Sequence, residues 1–189
     1  MIRTIYLAGG CFWGLQKFLD QFDGVLETET GYANGRTIKP TYEEVKSQRT
    51  GHTETVKVAY DDDVLPTGQL LDYYFMVIDP LSVNKQGEDE GINYRTGIYY
   101  EDPALLTDIR KVVNHVAEKA GRPLAVEVRP LQNFYPAEEY HQDYLGKHPD
   151  GYCHISPELF DFARKANKEK TTGKPLSEKK FQKQDDTTL

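Results

Sequence analysis

The sequence predicts an α/β (α+β) fold, a two-layer sandwich in which helices cover a mixed β-sheet. Three observations predict it. Short apolar runs alternate with period two, as strands do; runs such as Leu70, Leu71, Tyr74, Phe75 and Ile78 recur at helical spacing. The two kinds of run follow one another irregularly, which favours a mixed sheet over a doubly wound one. The chain has 189 residues, 38% hydrophobic and 28% charged, enough for one folded domain with a sizeable core.

The elements follow in order. Ile5 to Ala8 reads as a strand, and Phe12, Leu15, Leu19 and Phe22, with Phe18 beside them, as the apolar stripe of a helix. Val25 to Thr30 reads as a second strand, closed by a turn over Gly31 to Gly35. Arg36 to Gly51 is a polar loop whose segment Thr41 to Val45 can form one helical turn. Thr53 to Tyr60 alternates cleanly, and Glu54 shares a face with Val56, Val58 and Tyr60. A carboxyl on an apolar face is costly to ionise, so its pKa is expected to rise. Thr67 is positioned to cap the next helix, which Asp79-Pro80 ends. Leu81 to Gly91 is a loop with the acidic cluster Glu88-Asp89-Glu90. Ile92 to Tyr100 reads as a strand. Asp102-Pro103 starts a helix along Leu105, Ile109, Val112, Val113 and Val116, and Gly121 stops it. Leu124, Val126 and Val128 mark a further strand. Phe134 to Leu145 reads as loop plus short helix, Lys147 to Pro157 as a loop, and Glu158 to Ala166 as a last helix.

The division expected from this pattern is one catalytic domain over residues 1–163 and a basic tail over 164–189, with eight Lys/Arg against four Asp/Glu in the tail. The net charge of -7 argues against nucleic-acid binding. No apolar run approaches the ~20 residues of a membrane helix, and the first residues lack a signal peptide's apolar core. Two cysteines do not make a disulfide scaffold, so a reducing cytoplasm is the expected compartment and a monomer the expected state.

Chemistry centres on Gly9-Gly10-Cys11-Phe12-Trp13-Gly14, which holds one of the two cysteines and the only tryptophan. A thiol at a strand-to-helix junction is expected to have a lowered pKa, because free backbone N–H groups and the helix dipole favour thiolate. Taken alone, a lone cysteine is more often a small core residue. Three constellations stay open on the residues alone. Cys11 and Cys153, the latter in the loop Pro149 to His154, can form a redox pair. Cys11 with His52, His141 or His154 can form a Cys/His acyl-transfer site. Glu138-x-x-His141, with Asp143 nearby, is half of a metal motif whose second half is missing; Asp61-Asp62-Asp63 reads as a solvated turn. No phosphate loop or dinucleotide fingerprint occurs.

Several stretches together carry a resemblance. Gly10-Cys11-Phe12-Trp13-Gly14, Pro40-Thr41-Tyr42-Glu43-Glu44-Val45, Thr50-Gly51-His52-Thr53-Glu54, Gly87 to Thr96, His141-Gln142-Asp143-Tyr144-Leu145 and Gly151-Tyr152-Cys153 run in order from about Ile5 to His154. This set resembles the A-type peptide-methionine sulfoxide reductases, oxidoreductases that repair the S epimer of methionine sulfoxide after oxidative stress. The resemblance implies a two-layer sandwich with a ferredoxin-like core and extensive loops. It implies Cys11 as nucleophile, Glu54 as the acid protonating the sulfoxide oxygen, and Phe12 and Trp13 as the pocket for the substrate methyl group. Tyr42 and Tyr94 resemble the phenols that hydrogen-bond the oxygen, and Asp89 resembles part of the polar network around it. Cys153 resembles the recycling thiol, which would close a Cys11–Cys153 disulfide for thioredoxin or a similar dithiol to reduce. Free methionine sulfoxide or oxidised proteins would be the substrate, with no metal and no organic cofactor.

Some positions depart from the family's common pattern. Gln16 stands where Glu is frequent, and on a helix surface this is expected to matter little. Lys39, Asn93 and Thr96 also differ, which bears on substrate preference more than on activity. Some relatives carry a further cysteine beyond the recycling one; none follows Cys153 here.

Overall fold

A computed structural model of the chain describes residues 1–170. The expected tail from 171 onward lies outside the described residues. The strands are β1 (Ile2–Ala8), β2 (Val25–Ala33), β3 (Thr53–Asp61), the short pair β4 (Lys85–Gln86) and β5 (Asp89–Glu90), β6 (Gly97–Tyr100), β7 (Glu127–Pro130) and β8 (Phe134–Pro136). The helices are α1 (Phe12–Leu19), α2 (Tyr42–Lys46), α3 (Thr67–Met76), α4 (Leu106–Ala120), α5 (Tyr144–Lys147) and α6 (Pro157–Lys170). Six strands make one sheet in the order β7-β6-β1-β3-β2-β8, and β4 pairs with β5 alone. Only β6 and β7 run parallel, so the sheet is mixed as expected.

Strand alternation sorts the core onto two faces. Ile5 and Leu7 of β1, Val56 and Val58 of β3 and Ile98 of β6 point to the helix side, where they meet Phe12, Leu15, Phe18, Leu19, Leu70, Tyr74 and Ile109. Tyr6, Ala8, Ala33 and Tyr99 face the other way, under Leu131 and Phe134. The long central strands β1 and β3 pair over seven residues from Ile2↔Asp61 to Ala8↔Thr55. That ladder brings the end of β1, and so Cys11, to the same end of the sheet as Glu54.

Several elements differ from expectation, each for a local reason. The turn expected at Gly31 is strand, because a Cβ at Gly31 would lie 2.3 Å from the Phe134 ring; the glycine makes room for β8. The strand expected from Ile92 begins only at Gly97. Gly91, at φ 142, reverses the chain into a 3-10 turn over Ile92–Tyr94. Thr67 does not cap α3: Pro66 holds the cap position, and the Thr67 hydroxyl lies 2.7 Å from the Tyr60 phenol. Asp102 does cap, accepting from the Ala104 N–H at 2.9 Å ahead of α4. Gly121 ends α4 in the left-handed conformation, as expected. Helix α6 runs across the boundary expected at residue 163; Ala163 is buried, and so is Asn167, whose amide donates to the Gln21 carbonyl.

Candidate active site

Cys11 occupies the N-cap position of α1, directly after β1, and is only 7% exposed. Gly10, at φ 72, makes the bend between them, and its N–H donates to the Tyr94 carbonyl at 3.2 Å. Two of the amides at the helix start are taken by carboxyls. The Phe12 N–H donates to Glu54 Oε1 at 3.2 Å, and the Cys11 amide is directed at the Asp89 carboxylate. The expected lowered thiol pKa is therefore corrected. Burial and the Glu54 carboxyl push the Cys11 thiol up, and the Trp13 amide opposes this only in part. Before substrate arrives the group is a protected thiol.

Glu54 projects from β3 onto the apolar face shared with Val56 and Val58, and is 1% exposed. Burial pushes its carboxyl up to about 8, against the Phe12 amide, while the Asp89 charge adds to the rise. The sequence reading of a raised carboxyl pKa agrees with this geometry. Tyr42 opens α2, whose start is fixed by a capping box between Thr41 and Glu44. Its phenol is pushed up to about 12 by burial, with Glu54 and Cys11 contributing. Tyr94 ends the 3-10 turn before β6, and burial with Glu54, Tyr42, Asp89 and Cys11 raises it further. Cys11, Glu54, Tyr42 and Asp89 thus each act electrostatically on others of the set, and Tyr94 feels all four. Asp89 is on β5, accepts from the Tyr152 phenol at 3.3 Å and is itself raised by burial.

The aromatic groups line up beside this set. Phe12 is buried, 5.8 Å from the Tyr32 ring and 5.2 Å from the His141 ring. Trp13 is half-buried, stacks on Tyr144 at 3.7 Å between centroids and donates its indole N–H to His141 Nδ1 at 2.9 Å. The Tyr42 and His141 rings are 4.6 Å apart. Cys153 is half-buried, and a Cβ on Gly14 would lie 2.8 Å from its Sγ. Cys11 is the N-cap and Gly14 the third residue of the helix, the two positions that a capping side chain spans. The second thiol therefore sits one helical turn from the first.

Of the three candidate histidines, His52 has both nitrogens engaged, His141 has one, and His154 has neither. His52 accepts from the Gly35 N–H through Nδ1 at 3.1 Å and donates through Nε2 to the Thr37 carbonyl at 2.8 Å, so both its nitrogens serve the loop. His141 is bound to Trp13. The half metal motif is also used otherwise. Glu138 accepts from the phenols of Tyr32 at 3.1 Å and Tyr140 at 3.2 Å and from the Tyr42 N–H at 3.3 Å. Asp61, Asp62 and Asp63 cluster, and the Met1 amine bridges all three.

Two residues of the site escaped the sequence reading. Tyr32 is fully buried and pairs directly opposite Glu54 across β2 and β3. Gln16 was expected on a surface but is only 6% exposed, and its side chain accepts from the Asp143 N–H at 2.9 Å while its amide reaches toward Thr28. It ties α1 to the segment carrying His141. Gln142 continues that tie by exchanging two hydrogen bonds with the Thr30 backbone, at 3.0 and 2.9 Å.

This geometry matches known proteins. Residues 3–173 fit the family model described as peptide methionine sulfoxide reductase. The chain belongs to that family. The peptide methionine sulfoxide reductase MsrA of Lachnoclostridium phytofermentans is 56% identical over 166 residues, which is 88% of this chain and 100% of the relative. Among solved structures, reduced Mxr1 from Saccharomyces cerevisiae superposes with TM-score 0.78 at 34% identity, covering 82% of this chain and 91% of that one. Methionine sulfoxide reductase A of Corynebacterium diphtheriae gives 0.76 at 38%, covering 80% and 77%. The activity of this reductase is accordingly the reduction of methionine sulfoxide, and its mixed sheet and helices are those of its structural neighbours.

Proposed function

We propose that the protein reduces the S epimer of methionine sulfoxide by a thiol cycle, without metal or organic cofactor, within a single catalytic domain. The observation that carries this reading is Glu54, a buried carboxyl held up to about 8 beside the Cys11 thiol. A thiol attacks a sulfoxide sulfur slowly while the oxygen keeps its negative charge. An acid that stays protonated near neutral pH removes that obstacle.

Cys11 attacks the sulfur while Glu54 protonates the oxygen. Tyr42 and Tyr94, kept as phenols, donate hydrogen bonds to that oxygen as it gains charge in its transfer. Phe12 and Trp13 hold the methyl group, and Trp13 is fixed for this by its stack on Tyr144 and its bond to His141. Asp89 orders the polar rim through the Cys11 amide and Tyr152. The oxygen, carrying the proton that Glu54 gave, ends on Cys11 sulfur; the proton that the thiol lost returns to Glu54, and methionine leaves.

Cys153 then condenses with the sulfenic acid. Its thiol displaces the hydroxyl as water and forms the Cys11–Cys153 disulfide. Thioredoxin or a similar dithiol reduces the disulfide by exchange, as befits a reducing cytoplasm. Yeast Mxr1 has been solved in complex with Trx2, which supports a partner of this kind.

The test uses resolved substrate epimers with dithiothreitol as reductant. The S epimer is expected to be consumed and the R epimer left. Equal consumption of both would overturn the epimer assignment, and consumption of neither would overturn the thiol cycle.

A further inference from the structure

The dipeptide Cys153-His154 straddles the active-site turn. Cys153 Sγ rests where Gly14 lacks a side chain. His154 lies on the other side, where a Cβ on Gly10 would lie 3.2 Å from its Cε1 and Nε2 atoms. Gly87 approaches the His154 Cβ as well. The imidazole is thus lodged between the turn before Cys11 and the β4–β5 hairpin. Its side chain is 6% exposed, and neither ring nitrogen has a hydrogen-bond partner. Asp89 Oδ2 is 3.9 Å from Nδ1. A ring with two unpartnered nitrogens is costly to bury, and its polar atoms contribute nothing to holding the segment in place. What its burial does contribute is position: with the ring seated, Cys153 cannot drift from the face that carries Cys11.

We propose that His154 is the positioning residue of the recycling step. Seated in the Gly10 vacancy beside Asp89, it holds the Cys153 sulfur on Gly14, one turn from Cys11. The disulfide then forms as soon as the sulfenic acid does. In that step Cys153 Sγ attacks Cys11 sulfur, the S–O bond breaks, and the thiol proton leaves with the hydroxyl as water. The inference rests on Cys153 being the recycling thiol, which Cys153→Ser tests by itself.

The seat is sensitive to acid. The charged group facing it is Asp89 on β5, 3.9 Å from Nδ1; the turn side presents Gly10 and the hairpin Gly87. Burial lowers the His154 pKa, and Asp89 opposes this only in part. The seated ring therefore favours neutrality, and protonation as pH falls below the free-histidine value favours its release to water.

The experiment is a single turnover without reductant, in which methionine release and loss of the two thiols are timed separately. His154→Ala is expected to slow thiol loss about tenfold or more beyond any change in methionine release, the size expected for a misplaced reacting group. The sulfenic acid should accumulate and be trapped by dimedone. His154→Gln fills the vacancy without titrating. Wild type and His154→Gln should form the disulfide alike at about pH 7.5, and the wild type should fall behind by about pH 5.5, across the ordinary histidine range. Equal slowing of both steps in His154→Ala would overturn the proposal. So would a wild-type to His154→Gln ratio that does not change with pH, a readout that stands even if His154→Ala does not fold.

Discussion

Cys11 and Cys153 face the same helix but are held in opposite ways. Cys11 stands on a strand-to-helix joint, 7% exposed, with the Phe12 amide and its own bound by carboxyls from β3 and β5. Cys153 is half-buried in a loop, held by a weak contact from its Sγ to the Ile155 carbonyl at 3.6 Å and by the seating of its neighbour. Burial raises both thiols, but Lys17 lowers Cys153 where Glu54 raises Cys11. The contrast suits two tasks. In the proposed cycle the first sulfur waits as a thiol until substrate and acid are in place, and the second moves onto the first once oxygen has been transferred.

Changes at the fixed site should cost most. Cys11→Ser removes the attacking sulfur, and sulfoxide reduction should fall by about a thousandfold or more in a stopped assay of methionine formation. Glu54→Gln keeps the amide contact but supplies no proton as readily. The reduction step should slow by roughly 10²–10⁴-fold, the usual worth of a general acid; an unchanged rate removes Glu54 from the mechanism. Cys153→Ser should give a different pattern, one equivalent of methionine at an undiminished rate and then arrest of thioredoxin-driven cycling. Full cycling in that variant would erase the contrast between the two thiols. A smaller effect is expected for Tyr94→Phe or Tyr42→Phe, about tenfold each for one lost hydrogen bond to the oxygen.

Stability sharpens the same comparison. A Glu54 pKa of about 8 in the folded chain, against the ordinary glutamate value of 4.5, means the folded state holds a proton that the unfolded state releases between those values. Glu54 should therefore cost no ionisation penalty below the lower value. As pH rises through the window it should destabilise the protein, by a few kcal/mol at most, an order of magnitude set by a shift of this kind. Melting temperatures of wild type and Glu54→Gln should diverge with rising pH, the variant becoming the more stable. Gln16→Ala should lower stability by about 1–3 kcal/mol at all pH values, since it leaves the Asp143 N–H without its partner.

The sheet was legible where alternation was strong. β3 was placed almost to the residue, and with it the inward direction of Glu54. The position of Cys11 on a helix start was legible from Gly9-Gly10 and the stripe that follows. The error in the Cys11 pKa is tertiary in origin: burial and the Glu54 carboxyl raise it, and both are supplied by elements far along the chain. Tyr32 was missed because Gly31 reads as a turn residue in sequence, while in the structure it admits Phe134. Gln16 reads as exposed because a helix-surface glutamine and a buried one look alike until α5 and the preceding turn pack against it. Tertiary partners, not local pattern, decided all three.

The central claim is that Glu54 rests protonated beside Cys11. Infrared difference spectra between wild type and Glu54→Gln, taken from about pH 5 to about pH 10, test it directly across the carboxyl's range. The expected result is a protonated-carboxyl band at neutral pH that gives way to carboxylate bands as pH passes about 8. Carboxylate bands already present near pH 5 would contradict the account.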